Sequence, residues 1–337
     1  MVSDLRLNDD PDYGFAIGRV RARERELLGS SEYELLVRAA DASGFLAALL
    51  ETSYSSYFGQ DRATEGIEPK LARALEENDS FFTKHCEKSW LLDFVRLRTD
   101  CLNLKVLAKR RSSGAELESQ PLARTGTISR EALRQIVEAP DRAEPRWAAE
   151  AWARATDTRD GQHAPSTIDA IFDRACYKEQ LRVVRRSEFL SGYLGLCADV
   201  ENIRTLIRVR VLGEGREMLK VAFVDGGTVH EEELAALVET EWAEVAAHFG
   251  SGRFRDYVAA AIAGLERARS LRTMERIGRE LKLAYLRRSR YAVFGHEPLV
   301  TFYLLRENEV TNIRLLWAAK IVGLPENEAR ELVAYVA

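Results

Sequence analysis

The sequence predicts an all-α protein, and three observations lead to that prediction. Only 8 prolines occur in 337 residues, while Ala, Leu, Glu and Arg are abundant. Apolar residues recur with the period of an α-helix along most of the chain. Three segments also align with one another without a gap, which indicates a repeated helical unit.

The predicted helices follow one another with short breaks at glycine and serine. Helical periodicity covers residues 15–28, 31–50, 67–78, 88–111, 129–138, 146–155, 166–185, 188–212, 230–248, 253–290, 298–320 and 325–336. Ser31 and Ser129 are suited to cap the helices that they open, because a hydroxyl can accept a free first-turn N–H. The segment Leu219 to Val224 has a strand-like composition, but it is short and Asp-Gly-Gly follows it, so we expect a loop.

The repeat occupies residues 93–114, 192–213 and 302–323. These read DFVRLRTDCLNLKVLAKRRSSG, GYLGLCADVENIRTLIRVRVLG and FYLLRENEVTNIRLLWAAKIVG. The shared positions are an acid (Asp100, Asp199, Glu309), an asparagine (Asn103, Asn202, Asn312), a base (Lys105, Arg204, Arg314), a leucine (Leu107, Leu206, Leu316) and a final glycine (Gly114, Gly213, Gly323). A weaker correspondence precedes each copy, where Gly29-Ser30, Gly126-Thr127 and Gly227-Thr228 stand shortly before a predicted helix.

On a helix, the repeated acid and asparagine form an i,i+3 pair on the flank of an apolar face. The base points away from that face, toward solvent or a partner. We therefore predict that it is a possible partner contact. The glycine stands where a helix ends in a left-handed residue. We interpret the acid, asparagine, leucine and glycine as scaffold and not as a catalytic or metal-binding set, because duplicated packing explains a position used three times.

The spacing of the copies predicts three similar helical domains, at residues 1–118, 119–220 and 221–337, around a pseudo-threefold axis. The period is too long for an array of hairpins.

Charge and motif content exclude several classes of function. The formal net charge of -4 gives no argument for nucleic-acid binding. No Gly-Lys dipeptide occurs, so a phosphate-binding P-loop is absent. The 4 cysteines form no CxxC pair, which favours free, buried thiols in a reducing compartment. No apolar run is long enough to span a bilayer. We expect no cofactor and no metal site.

The repeats resemble a known family, the C subunits of V/A-type ATPases and ATP synthases, whose eukaryotic V-ATPase homologue is called the d subunit. The resemblance lies in Glu297 to Pro325, in Asp199 to Gly213 and in Tyr13 to Tyr33. It implies a funnel of three helical domains without ATPase activity. It also implies binding to the D and F subunits of the central shaft and to the membrane proteolipid ring. The location would be cytoplasmic, peripheral on the inner membrane through the complex.

Two other functions remain open from the residues alone. A generic helical scaffold would bind a peptide or RNA along a groove. A helical enzyme would use the buried acids, with perturbed titration of Asp100, Asp199 or Glu309. Arginines such as Arg19, Arg287, Arg288 and Arg290 would meet an acidic partner or phospholipid headgroups, although ordinary solvation is the favoured interpretation.

Overall fold

The computed structural model describes residues 10–58, 66–114, 122–157 and 163–335. Within these ranges the chain contains α-helices and short 3₁₀ turns and no strand, which confirms the all-α prediction. The helices are α1 (Gly14–Arg23), α2 (Ser30–Arg38), α3 (Ala42–Leu50), α4 (Ser55–Phe58), α5 (Ile67–His85), α6 (Ser89–Ser113), α7 (Arg130–Glu138), α8 (Arg146–Ala155), α9 (Pro165–Val184), α10 (Glu188–Leu212), α11 (Arg216–Ala222), α12 (Glu231–Leu237), α13 (Trp242–His248), α14 (Arg255–Ala268), α15 (Arg272–Leu286), α16 (Glu297–Ile321) and α17 (Glu326–Arg330).

Several predicted helices are divided in the structure. The segment 31–50 forms α2 and α3, because Ala39 leaves the helical conformation and the Asp41 carboxylate caps α3 by accepting the Gly44 N–H at 2.8 Å. The segment 253–290 divides where Arg269 adopts φ 50° and ends α14. The segment 230–248 likewise forms α12 and α13. Periodicity alone does not locate such breaks, because the apolar spacing continues across them.

Of the two predicted serine caps, one is confirmed and one is wrong. Ser129 caps α7, because its hydroxyl accepts the Ala132 N–H at 3.1 Å. Helix α2 begins one residue before Ser31, and Gly29 occupies the cap position. The Glu32 carboxylate accepts the Gly29 N–H at 3.0 Å, so an acid within the first turn binds the free backbone there.

The expected loop at 219–224 is wrong for most of its length. Residues Arg216–Ala222 form α11, and Leu219 within it is fully buried. Burial against neighbouring helices outweighs the β propensity of its valine-rich composition. Extended backbone begins only at Phe223, and Val224 beyond it is also buried.

The chain forms two compact units. Unit 1 comprises Met1–Glu87 and Ala246–Ala337, and unit 2 comprises Lys88–Val245. The division into three domains stays a prediction.

Unit 2 is built around α9, which packs along α6 and also contacts α8, α10 and α11. Its largest fully buried side chains include Trp152, Phe172 and Phe189. Cys101, Cys176 and Cys197 are buried here, and none of them is in a disulfide among the described residues. Apolar burial at this density is the main contribution to the stability of such a helical unit.

Unit 1 joins the first and last parts of the sequence in one core. The helix α16 packs against α5, α3 and α1. Tyr33, Leu36 and Phe45 from the first part share a buried cluster with Val310 and Leu316 from α16. Because α16 is covered on most of its circumference, its apolar residues are spread over all sides, and polar residues such as Glu309 and Asn312 are buried among them.

The three repeats form three long helices of equal length. α6, α10 and α16 each contain 25 residues. Just beyond their ends Gly114, Gly213 and Gly323 have φ values of 72°, 69° and 69°. This left-handed conformation is favourable for glycine and costs a residue with a Cβ about 1 kcal/mol or more.

We therefore predict that Gly213→Ala lowers the free energy of unfolding by about 1 kcal/mol, which corresponds to a melting temperature roughly 2–4 °C lower. Thermal unfolding followed by circular dichroism measures this change. The matched control is Gly18→Ala, since Gly18 lies within α1 in helical backbone and an added Cβ there meets nothing within 4 Å. Equal effects of the two substitutions would contradict the prediction.

Candidate functional site

The first repeated acid binds the backbone at the start of the next short helix. Asp100 is fully buried in α6, and its carboxylate accepts the N–H of Thr127 at 2.9 Å and that of Ile128 at 3.0 Å. The Thr127 hydroxyl donates to the same carboxylate. Helix α7 begins at Arg130, so these donors lie immediately before its first turn.

The second acid repeats this arrangement in the same unit. Asp199 is fully buried in α10 and accepts the N–H of Thr228 at 2.6 Å and that of Val229 at 2.8 Å. The Thr228 hydroxyl donates at 2.9 Å. Helix α12 begins two residues after Val229.

The third acid binds a segment that lies 281 residues earlier in the chain. Glu309 of α16 accepts the Leu28 N–H at 2.5 Å, just before α2 begins at Ser30. Its other oxygen accepts the Tyr54 hydroxyl at 2.9 Å and the Arg306 guanidinium at 2.5 Å. The third contact is thus equivalent to the other two, although the N-terminal part of the chain supplies it.

Two glycines make room for the aspartates. A Cβ placed on Gly126 would lie 2.2 Å from Oδ1 of Asp100, and one on Gly227 would lie 2.0 Å from Oδ1 of Asp199. The residue at the corresponding place before Leu28 is Glu26. A glutamate reaches further than an aspartate by one methylene group, so the third contact does not need such a close approach of the backbone.

The repeated asparagine fixes the extended segment beside each contact. Its side-chain amide donates to the carbonyl of one residue and accepts from the N–H of the same residue, as a neighbouring strand would. The pairs are Asn103 with Ala123 (3.0 and 3.0 Å), Asn202 with Val224 (2.8 and 2.9 Å) and Asn312 with Ala334 (2.7 and 3.2 Å). All three asparagines are at most 4% exposed.

A third repeated contact was missed by the sequence analysis. The eighth residue after each asparagine is a base that donates to backbone carbonyls at the end of the same short helix. The pairs are Arg111 with Val137 (3.0 Å), Arg210 with Val238 (2.9 Å) and Lys320 with Val37 (2.6 Å). The signal was present in the three aligned segments, because each of these bases stands three residues before the final glycine.

We call the acid, the asparagine and this terminal base of one long helix a clamp. Each clamp holds a short helix (α7, α12 or α2) at both ends. A carboxylate lies at the positive end of the helix dipole and a cation at its negative end, so both contacts are favourable. Burial raises the pKa of the Asp100 carboxyl, and the hydrogen bonds from Thr127 and Ile128 oppose that rise. Burial also raises the pKa of Glu309, against the opposing effect of Arg306.

The clamps also correct the relation between the repeats and the glycine-containing segments. The sequence places those segments before the copies, whereas the first two long helices each hold the segment that follows them and the third holds the segment nearest the N-terminus. Thus α6 holds the start of α7 and α10 holds the start of α12, while α16 holds the start of α2.

The remaining repeated residues have simpler surroundings. The three leucines are buried. The three candidate contact bases form ion pairs within the chain: Lys105 with Asp173 at 2.6 Å, Arg204 with Glu201, and Arg314 with Glu68 at 3.0 Å. Their role in binding a partner stays a prediction.

The described residues show no other constellation with evident chemistry. They contain no group of three or more His, Cys, Asp or Glu side chains placed to hold a metal ion. A cavity of about 760 Å³ in unit 2 lies between α8 and α9, beside Trp147 and Ile171, and no clamp residue lines it. Across the described ranges, no helix has both the length and the apolar character that crossing a bilayer requires.

We predict that Asp199→Ala destabilises unit 2 by about 3 kcal/mol, because two buried N–H groups and a hydroxyl lose their acceptor. The melting temperature should fall by roughly 6–12 °C. The control is Asp225→Ala, which removes an exposed carboxylate from the loop that the Asp199 carboxylate binds. It should change stability by less than about 0.5 kcal/mol. A similar loss in both variants would argue against the clamp.

The comparisons with known proteins agree with one another along nearly the whole chain. A sequence model of the family described as ATP synthase (C/AC39) subunit matches residues 16–332. The chain is 26% identical to the C subunit of the A-type ATP synthase of Haloferax volcanii, over 96% of this chain and 97% of that protein. It is 25% identical to the C subunit of the A-type ATP synthase of Haloquadratum walsbyi, over 96% and 97%. It is 24% identical to the C subunit of the V-type ATP synthase of Deinococcus radiodurans, over 96% and 91%. The three clamps lie within the matched residues, apart from the Ala334 partner of Asn312, and the chain therefore belongs to the ATP synthase (C/AC39) subunit family.

Proposed function

We propose that this chain is the non-catalytic central-stalk subunit of a rotary A/V-type ATP synthase. In this role it joins the D and F subunits of the shaft to the membrane proteolipid ring and passes rotation between them. It would lie on the cytoplasmic side, peripheral on the inner membrane through the complex. The names of the relatives support membership of such a complex.

The clamps are the observation that carries the mechanical part of this proposal. A subunit that passes torque must resist bending between its helices. Each clamp joins a long helix to a short helix through hydrogen bonds at both helix ends, and most of these bonds involve a charged group. Charged hydrogen bonds are roughly twice as strong as neutral ones, and burial protects those of the three acids from competing water.

The equivalence of the clamps supports the proposed division into three similar helical domains. Each clamp pairs one long helix with one short helix through the acid and the terminal base, while the asparagine binds a residue outside the short helix, which is Ala334 in the third clamp. The third domain of this scheme, residues 221–337, uses α2 from the N-terminal part as its short helix. Each of the three long helices therefore binds one short helix in the same way. For α16, that short helix comes from the N-terminal part of the chain.

The surroundings of the acids support a structural role over an enzymatic one. A general acid or base needs to reach a substrate proton. Both oxygens of Asp100, and both of Asp199, accept donors from the chain's own backbone and hydroxyl groups. Glu309 is occupied by Leu28, Tyr54 and Arg306.

The proposal predicts that membrane vesicles depleted of this chain hydrolyse ATP without pumping ions, because the shaft no longer turns the ring. Adding the purified chain should restore pumping. The measurement compares ATP hydrolysis with the ion gradient in the same vesicles. The purified chain alone should hydrolyse no ATP.

Two single substitutions refine this experiment. Asp225→Ala should restore pumping as well as the wild type does, whereas Asp199→Ala should restore less at a temperature at which it remains folded. Normal coupling in vesicles that lack the chain altogether would refute the proposal.

A further inference from the structure

Large apolar side chains project from one region of unit 1. Phe15 on α1 is 74% exposed. Tyr291 and Val293, which follow α15, are 66% and 72% exposed, and Phe294 is 40% exposed. Leaving side chains of this size in water is unfavourable unless another surface covers them.

These side chains belong to adjoining parts of the fold. The Arg21 guanidinium on α1 donates to the Arg290 carbonyl at 3.1 Å, which holds α1 beside the segment after α15. A Cβ placed on Gly14 would lie 3.5 Å from the Phe294 ring, and Phe15 is the next residue. We call the four apolar side chains, together with Arg19, Arg287 and Arg290, the aromatic–basic patch.

The arginines of the patch stack on its rings or extend into solvent. The Arg19 guanidinium lies 6.0 Å from the centre of the Phe15 ring, and that of Arg290 lies 4.7 Å from the centre of the Tyr291 ring. Arg287 is exposed. None of the three forms an ion pair with a carboxylate in the part of the chain that the structure describes. Nearby Arg21 and Arg23, in contrast, are paired with glutamates.

We propose that the aromatic–basic patch binds the surface of a membrane that contains anionic lipids. Tyr291 has the polar edge that favours the boundary between headgroups and acyl chains, Phe15 and Phe294 can enter the apolar side of that boundary, and arginines beside them can reach the lipid phosphates. Anionic headgroups complement the unpaired cations, at about 1 kcal/mol for each basic side chain near the surface.

Two observations favour a lipid surface over the acidic face of another protein. The apolar side chains stand on a helix and an adjoining loop and project from them, as the apolar side of an interfacial segment does where it enters the boundary between headgroups and acyl chains. The rings are also the cation partners of the arginines, so the charged and apolar parts are interleaved as at a bilayer interface. Asp12 is the exposed acid nearest to them along the chain.

This inference goes beyond the proposed function, and lipid alone tests it. The full chain is sedimented with vesicles of phosphatidylcholine containing 30 mol% phosphatidylglycerol, and with vesicles of phosphatidylcholine alone. We expect binding to the anionic vesicles that weakens with added salt, and little binding to the neutral vesicles. The Arg287→Gln/Arg290→Gln variant should lower the partition coefficient roughly fivefold for each arginine neutralised.

A second pair of variants tests the apolar part of the patch. Phe15→Ser/Phe294→Ser should reduce binding to anionic vesicles at least as strongly. Controls of matched chemistry lie in unit 2: Leu212→Ser removes an apolar side chain that is 67% exposed, and Arg154→Glu reverses an exposed charge. Both should bind as the wild type does, and circular dichroism verifies that every variant is folded.

Two outcomes would overturn the proposal. One is wild-type protein that remains in the supernatant with anionic vesicles at low salt. The other is binding that the two control variants weaken as much as the patch variants do. Cross-linking of the patch to another protein, combined with no vesicle binding, would assign the patch to a protein partner and likewise reject lipid binding. None of these results bears on whether the chain couples shaft and ring.

Discussion

The buried carboxylate at the start of each short helix is the interaction on which the other repeated features depend. Burying a charge is costly unless donors surround it, so the acid is stable in the core only when the following backbone is correctly placed. The glycines admit that backbone, the asparagine holds the extended segment beside it, and the terminal base holds the far end of the helix. Without the acid, the glycines, the asparagine and the terminal base would support a contact that no longer forms.

The aspartates and the glutamate obtain their hydrogen-bond donors in different ways. Asp100 and Asp199 are short, so their partners must approach closely and a glycine is required in each loop. Glu309 is longer and accepts one backbone N–H, and Arg306 and a tyrosine supply its remaining donors. A conservative difference in one side chain therefore changes what the neighbouring loop must contain.

The sequence could predict the repeated residues but not most of their partners. Asp199 and Asn202 stand out because side-chain identity recurs in register, and long helices follow from their periodicity. Their partners contribute backbone N–H and carbonyl groups, which leave no trace in the residue type: Val229 and Leu28 are simply apolar. The breaks within predicted helices could not be predicted for a related reason. A local φ value such as that of Arg269 is set by contacts and not by periodicity. The terminal bases were visible in the aligned repeats and were overlooked.

The third clamp has a consequence for how the polypeptide folds as it is synthesised. Unit 2 is continuous in sequence, so its helices can pack as soon as they leave the ribosome. Unit 1 cannot be completed in this way, because α5 ends at His85 and α16 begins at Glu297. At about 5–20 residues per second, its first helices wait roughly 10–40 s for the helix that covers them. During that interval the apolar faces around Tyr33 and Leu36 depend on chaperones or transient contacts, and this interval is the point in synthesis most exposed to aggregation.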